Sequence, residues 1–248
     1  MNVGIERKVV VLSSIDSTNV YALEHAQVEN WPEGSIVMAD FQTAGRGQRG
    51  NSWYSSPEKN LLLSMVYYPD FLPFEKQHFL HYCTSIALQK TLDSLSIPAT
   101  IKWPNDLLVD DKKIAGILIQ NTIRGQSFGL SVIGIGLNVN ETDFPSHLPH
   151  ATSVKRLTGK SIAPGRLLSV LLSFFDPAYD LLRKGDYDNL LRQYLEHFYG
   201  MEEKRSFSIP GGKSFEGVIR GVDAQGRLVV NINGEDKAFG LKEIEWKW

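Results

Sequence analysis

The most regular pattern in the chain runs through residues 129–140, where Ile133, Ile135, Leu137 and Val139 alternate with Gly134, Gly136, Asn138 and Asn140. A period of two predicts a strand with one apolar face turned to a core. The opposite face carries no side chain at two successive positions and then two amides. That suits a flat group stacked on backbone, or equally a helix packed closely on the glycines. Residues 8–13, 35–41 and 60–68 read as further strands. Pro73 opens an amphipathic helix to about residue 95, with Phe79, Tyr82, Cys83, Ile86, Leu88 and Leu92 on its apolar side. Residues 100–106 form a strand that Pro104 ends, because a residue before proline stays extended and Asn105 and Asp106 favour turns. Residues 107–119 read as a hairpin with Asp110 and Asp111 in its turn. Lys112 and Lys113, adjacent on its second strand, point to opposite faces, so at most one serves a given site. Gly116 leaves a gap that lets a ligand lie close to backbone. Helical patterns dominate from Ala163, with Pro177 breaking or kinking the run and Asp186 restarting it toward Tyr199. Beyond Arg205, short strands separated by Pro210-Gly-Gly212, Asp223-Ala-Gln-Gly226 and Asn233-Gly234 predict a small antiparallel barrel.

Between two of these strands lies Gly45-Arg-Gly-Gln-Arg-Gly-Asn-Ser-Trp53. Its glycines let backbone N–H groups approach a ligand and form an anion-binding nest. Arg46 and Arg49 add planar charged forks that match phosphate or carboxylate oxygens. We read the stretch as a loop, pinned by sheet at both ends, that orders over an anionic ligand. A flexible, solvated connection is the plain alternative. The residues also match G-x-G-x-x-G, but no helix follows, so a dinucleotide-binding unit is rejected on context. Gly212-Lys-Ser214 resembles the end of a phosphate-binding P-loop, yet Phe207 stands where the first glycine is required. Asp16-Ser-Thr-Asn19, between a strand and a short helix to about Gln27, supplies several N-cap candidates. Taken by themselves these residues favour capping over ligand binding. His78 and His81 are one helical turn apart but have no third metal ligand nearby, which makes them surface histidines.

Composition narrows the function without naming it. The 248 residues suffice for one sizeable core and a small second unit, at 42% hydrophobic and 22% charged. A net charge of −2 indicates no nucleic-acid partner, so positive charge is local to the loop and the lysine strands. The single cysteine, Cys83, makes no internal disulfide and reads as buried packing. No apolar run is long enough to cross a bilayer and no signal-peptide pattern opens the chain, so cytoplasm is the expected location.

In order and spacing, Gly45-Arg-Gly-Gln-Arg-Gly50 with Trp53, Lys102-Trp-Pro-Asn-Asp106, Lys113-Ile-Ala-Gly116 and Gly134-Ile-Gly-Leu-Asn138 together resemble biotin protein ligases. The similarity spans nearly the whole chain. It implies an α+β fold: a mixed, mainly antiparallel sheet flanked by helices, of the class II synthetase-like biotin ligase type. A biotin- and ATP-binding catalytic domain would occupy 1–203 and a small β-barrel 204–248. The implied reaction joins biotin and Mg-ATP into biotinyl-5′-adenylate, then passes the biotinyl group to a lysine of a biotin carboxyl carrier domain. By the same resemblance, Ser17, Thr18, Asn19, Gln42, Arg46, Gly47, Gln48, Lys113 and Gly116 bind biotin, which reverses the capping preference. Arg49, Trp53, Lys102, Asn105 and Asn138 would surround the nucleotide, Asp106 would hold Mg²⁺, and Arg46, Lys113 and Asp106 would be catalytic.

Two departures qualify the likeness. Some family members have arginine where Gln48 stands, which bears on retention of the adenylate. Some also carry an N-terminal DNA-binding domain, whereas this chain starts almost directly at the first catalytic strand, so no DNA partner or repressor activity is expected. The alternative enzyme is a lipoate ligase or octanoyltransferase of related fold, whose triple-glycine run is missing here. The sequence leaves open a monomer or a homodimer, and which carboxylase is modified.

Overall fold

The computed structural model describes residues 7–125 and 127–247, with the backbone but not the side chain of Arg49. Seven strands make the central sheet: β1 (Val9–Leu12), β2 (Ile36–Ala39), β3 (Leu61–Tyr67), β4 (Thr100–Lys102), β5 (Asp106–Val109), β6 (Lys112–Arg124) and β7 (Ser127–Leu137). They pair in the order β1-β2-β3-β7-β6-β5-β4. β1 and β2 run parallel, and the other neighbours run antiparallel. Five helices accompany the sheet: α1 (Thr18–His25), α2 (His78–Asp93), α3 (Val154–Thr158), α4 (Arg166–Arg183) and α5 (Tyr187–Glu196).

The alternation along β7 decides which side each helix takes. Ile133, Ile135 and Leu137 join Leu61, Leu63 and Met65 of β3 in the main core, under α2, α4 and α5. Leu130 and Val132 face the other way, with Val37 and Val66, toward Ala22 and Ala26 of α1. Gly134, Gly136 and Ser64 share the parity of this second face, so they lie beside α1 and not in the main core. α2 is buried almost all round, because the sheet lies on one side and α4 and α5 on the other. Its Thr84 and Thr91 hydroxyls donate to the carbonyls of Leu80 and Ala87, both at 2.7 Å, which satisfies them without solvent. Cys83 is buried there as expected.

Three local expectations meet the structure differently. The β5–β6 turn is as read: Asp110 and Asp111 have φ of 48° and 60°, the pair of positive values that a two-residue hairpin turn needs. Pro177 does not break α4, which runs unbroken through it. Pro177 and Ser173, whose carbonyl loses its partner, both face solvent, while Leu171, Phe175, Ala178 and Leu182 hold the inner side. His78 and His81 are not fully exposed surface histidines; both are partly buried, because the β9–β10 turn of the C-terminal strands folds back over the start of α2.

Those strands are β8 (Lys204–Ser208), β9 (Ser214–Val222), β10 (Leu228–Ile232), β11 (Glu235–Phe239) and β12 (Glu245–Trp246), an antiparallel sheet in the order β11-β10-β9-β8-β12. Phe207, Ile219, Leu228 and Val230 continue the main core, so the second sheet is packed onto the first. Its β9–β10 turn is tied down twice. Trp103 Nε1 donates to the Gly226 carbonyl at 2.9 Å, and His78 lies against Gly226 itself.

Two measurements test this seam. A Cβ on Gly226, whose φ is +74°, would stand 2.6 Å from His78 Cγ. We expect Gly226→Ala to cost about 1–3 kcal/mol, read as a lower urea midpoint at unchanged m-value. Burial and the Lys76 charge push His78 down to about 4, partly opposed by Asp223, and burial with His78 pushes His81 down to about 4. The unfolded chain therefore binds more protons here than the native one. The stabilisation is fully present above about pH 6.5 and lost as pH falls toward about 4. Urea midpoints should decline across that window, and His81→Phe should flatten the decline.

Candidate active site

Three glycines on the α1 face form a side-chain-free floor. Gly134 and Gly136 lie on β7, and Gly116 of β6 pairs directly with Gly136. A Cβ on Gly134 would meet Asn19 Oδ1 at 2.2 Å, one on Gly136 would meet Trp53 Cε2 at 2.3 Å, and one on Gly116 would meet Trp53 Cζ3 at 2.9 Å. The close-packing reading is realised at Gly134, where the start of α1 approaches the strand. Asn19 at the start of α1 packs on Gly134, and a flat ring, the Trp53 indole, lies on Gly136 and Gly116. The indole Nε1 is buried without a hydrogen-bond partner.

Polar groups converge at the Gly134 end. Ser17 is the N-cap of α1, yet its side chain makes no capping hydrogen bond, so the capping preference fails. The side chains face inward instead. Gln42 Oε1 accepts from the Thr18 backbone N–H at 2.8 Å and lies 3.1 Å from Thr18 Oγ1. Asn19 Nδ2 donates to the Leu118 carbonyl at 3.2 Å and to Gln120 Oε1 at 2.9 Å. Ser64 Oγ lies 2.6 Å from Asn19 Oδ1 and 2.8 Å from Thr18 Oγ1. Ser17, Thr18, Asn19 and Ser64 are all buried. Such a cluster is a fixed set of donors and acceptors for a small polar ring. Ser64 was missed by sequence reasoning, although a lone serine inside Leu-Leu-Leu-Ser-Met-Val was a usable sign.

Lys113 reaches this face through an irregularity. Lys113 and Gly116 are three residues apart, so a regular strand would aim them at opposite faces. A bulge intervenes: Leu108 opposes Lys113 while the next residue back, Leu107, opposes Ala115. The extra residue, Ile114, restores the parity, and Lys113, Gly116 and Asp106 share one face. Lys113 Nζ stands 2.6 Å from Asp106 Oδ1 and 5.5 Å from the Trp53 ring centre. Oδ1 makes no directed hydrogen bond, so the contact is an ion pair set by charge and position. Lys113 is also clamped through its backbone, its N–H to the His150 carbonyl at 2.7 Å and its carbonyl from the Thr152 N–H at 2.9 Å. Lys102 lies beyond Asp106, with its ammonium 5.1 Å from the Trp246 ring centre. Burial lowers its pKa, Lys113 adds to the effect and Asp106 opposes it.

The loop 45–53 arches over the floor. Its backbone closes by Gly47 N–H to the Asn51 carbonyl at 2.7 Å and Trp53 N–H to the Gly45 carbonyl at 2.8 Å, with a short 3₁₀ turn at Gln48–Gly50. Three adjoining cavities result, and Trp53 and Lys113 line all of them. The first, a slot of about 40 Å³, is bounded by Ser17, Thr18, Asn19, Gln42, Arg46, Gly47, Gln48 and the glycine floor. The second, about 310 Å³, opens between Trp53 and Tyr54 on one side and Phe144, Leu148 and Pro149 on the other, with Lys102, Asp106 and Asn138 at its base. The third, about 290 Å³, holds Lys102, Asn105 and Asp106 beneath the loop and Trp246. The structure thus gathers every site residue anticipated from the sequence except Arg49, whose side chain lies outside the described residues. The amides of Asn105 and Asn138 are partly committed, donating to the carbonyls of Ile117 at 2.8 Å and Thr152 at 3.0 Å. The 144–150 wall and Trp246 were not anticipated, since neither stretch has a period or a motif. Among the described residues no three His, Cys, Asp or Glu side chains form a metal-binding group.

The model of the biotin/lipoate A/B protein ligase family matches residues 11–138. The bifunctional ligase/repressor BirA of Bacillus subtilis is 30% identical over 236 residues, which cover 93% of this chain and 71% of that protein. The biotin–[acetyl-CoA-carboxylase] ligase of Mycobacterium tuberculosis is 29% identical, covering 96% of this chain and 88% of that one. In fold, the biotin protein ligase of Aquifex aeolicus in complex with biotin and ATP superposes with a TM-score of 0.81 at 23% identity, over 97% of this chain and 98% of that chain.

Proposed function

The chain belongs to the biotin/lipoate A/B protein ligase family, and we propose that it activates biotin with ATP and transfers the biotinyl group to a lysine of a carrier domain. The observation that carries this reading is the place of Lys113, at the junction of a polar-ended slot and two cavities lined by Lys102 and Asp106. An acid bound in the slot would present its carboxylate to Lys113, and a nucleotide in the wider cavities would bring its α-phosphate to the same point. The slot favours biotin over lipoate. Thr18, Asn19 and Gln42 match a cyclic urea, with Ser64 orienting Thr18 and Asn19 from behind, whereas an apolar dithiolane ring would leave them facing sulfur and carbon.

The carboxylate oxygen attacks the α-phosphorus and the bond to pyrophosphate breaks, which gives the acyl-adenylate; the carrier amine then attacks the acyl carbon and AMP leaves. The first step joins two anions. Lys113 and Arg46 offset that repulsion, and Lys102 receives the phosphates. Mg²⁺, when bound with the nucleotide, supplies further charge neutralisation. A single carboxylate with phosphate oxygens is a donor set that Mg²⁺ accepts, and Asp106 would be that carboxylate. Asp106 is also the group placed to take the proton of the incoming amine. The loop 45–53 shields the mixed anhydride from water, with Trp53 as its packed face. We assign residues 1–203 to this catalysis and 204–248 to a supporting unit, and we place the enzyme in the cytoplasm beside its carboxylase. No helix among the described residues is long and apolar enough to cross a membrane.

Incubation with a biotin carboxyl carrier domain, biotin and Mg-ATP should yield a band on a streptavidin blot. No band from folded enzyme and a competent carrier, or labelling by lipoate in preference to biotin, would overturn the assignment. Lys113→Ala should reduce kcat/KM on the order of 10²–10³-fold. Its melting temperature should change little, because a half-exposed ion pair adds little to stability.

A further inference from the structure

Glu141 is the one acidic or basic residue among the described residues that is fully buried, at 3% exposure. The reaction above does not use it. Its partner is not a cation: Glu141 Oε2 accepts the Ser56 backbone N–H at 3.0 Å. Its own carbonyl accepts from Ser153 Oγ at 2.5 Å, and Ser153 Oγ also receives the Arg156 N–H at 3.1 Å. A carboxylate oxygen turned inward to one backbone N–H ties residue 56 to residue 141 across 85 positions of sequence, and the contact calls for a reason beyond packing.

The reason lies in what Ser56 and Glu141 adjoin. Ser56 follows Trp53 and Tyr54, one wall of the wide cavity, and Glu141 precedes Phe144, Leu148 and Pro149, the other wall. The Ser56 N–H and Glu141 Oε2 join the segments that carry the two walls. Neighbouring bonds continue the seam, from Asn60 Oδ1 to the Val139 N–H at 2.9 Å and from the Lys59 carbonyl to the Asn140 N–H at 2.8 Å. These two sit deeper, at the strand end, while Asn60 Nδ2 donates to Ser55 Oγ at 3.1 Å beside the Ser56 contact.

We propose that Glu141 is a positioning residue for the nucleotide: its carboxyl group sets the separation of the Trp53–Tyr54 wall from the 144–150 wall, and so the fit of a flat base between them. The proposal rests on the ATP reading of that cavity. It separates the two substrates, because the slot shares Trp53 and Lys113 with that cavity but neither Tyr54 nor the 144–150 wall, and its polar end is held by the bonds of Gln42 and Ser64 to α1.

The test is calorimetric titration of the full chain with a non-hydrolysable ATP analogue and, separately, with biotin. Glu141→Ala should weaken binding of the analogue about tenfold, as expected for losing one hydrogen bond to a charged acceptor, and change biotin affinity less than about twofold. Glu141→Gln, which retains an acceptor oxygen, should restore analogue binding to within about twofold of the parent. In turnover the same split should appear as a raised KM for ATP at nearly constant kcat. Should Glu141→Ala not fold, Glu141→Asp keeps the charge but falls short of Ser56, and the same selective loss is expected. Unchanged analogue affinity, or equal loss for analogue and biotin, overturns the role of Glu141 alone. A parent protein that binds biotin but no ATP analogue overturns the reading of the cavity itself.

Discussion

A strip of backbone without side chains, where β6 and β7 meet, constrains everything built above it. Gly116, Gly134 and Gly136 allow two side chains to approach closer than any Cβ would permit. One is Asn19, which seats the start of α1 against the sheet, and the other is Trp53, which seats the arginine loop. The helix and the loop bear no sequence relation to each other, yet both are registered against the same few atoms of β7. The relative placement of the polar slot and the charged cavities is therefore a property of the sheet, and neither flanking segment needs to be rigid by itself.

Charge is distributed with similar economy. The chain is nearly neutral, while Lys102, Lys113 and Arg46 line adjoining cavities with Asp106 as the acidic group among them. Asp106 is the counterweight, close enough to Lys113 to hold it and near enough to Lys102 to oppose the effect of burial. Two anionic reactants can enter such a region without the protein itself becoming a polycation that would attract nucleic acid.

Legibility from the sequence followed the range of the forces involved. Alternation in β7 and the Asp110-Asp111 turn depend on residues a few positions apart, and both were readable. Asp16 to Asn19 showed their chemistry but not their orientation, since capping and ligand binding ask for the same small polar side chains. The burial of His78 and His81 was invisible because it comes from a turn near residue 226, far along the chain, which no local spacing reports. The persistence of α4 through Pro177 depends on which side of the helix the proline faces. The wall at 144–150 has neither period nor motif, and only its attachment to Lys113 and Glu141 gives it meaning.

The bulge at Ile114 has a further implication. The same residues paired without the bulge would make a more regular β5–β6 ladder, and by the usual measures a better sheet. Its lysine would then point among the helices, with the glycine floor still intact and nothing charged above it. The register of this hairpin is thus held by its irregularity, and the blemish in the pairing serves as the address of the reactive amine.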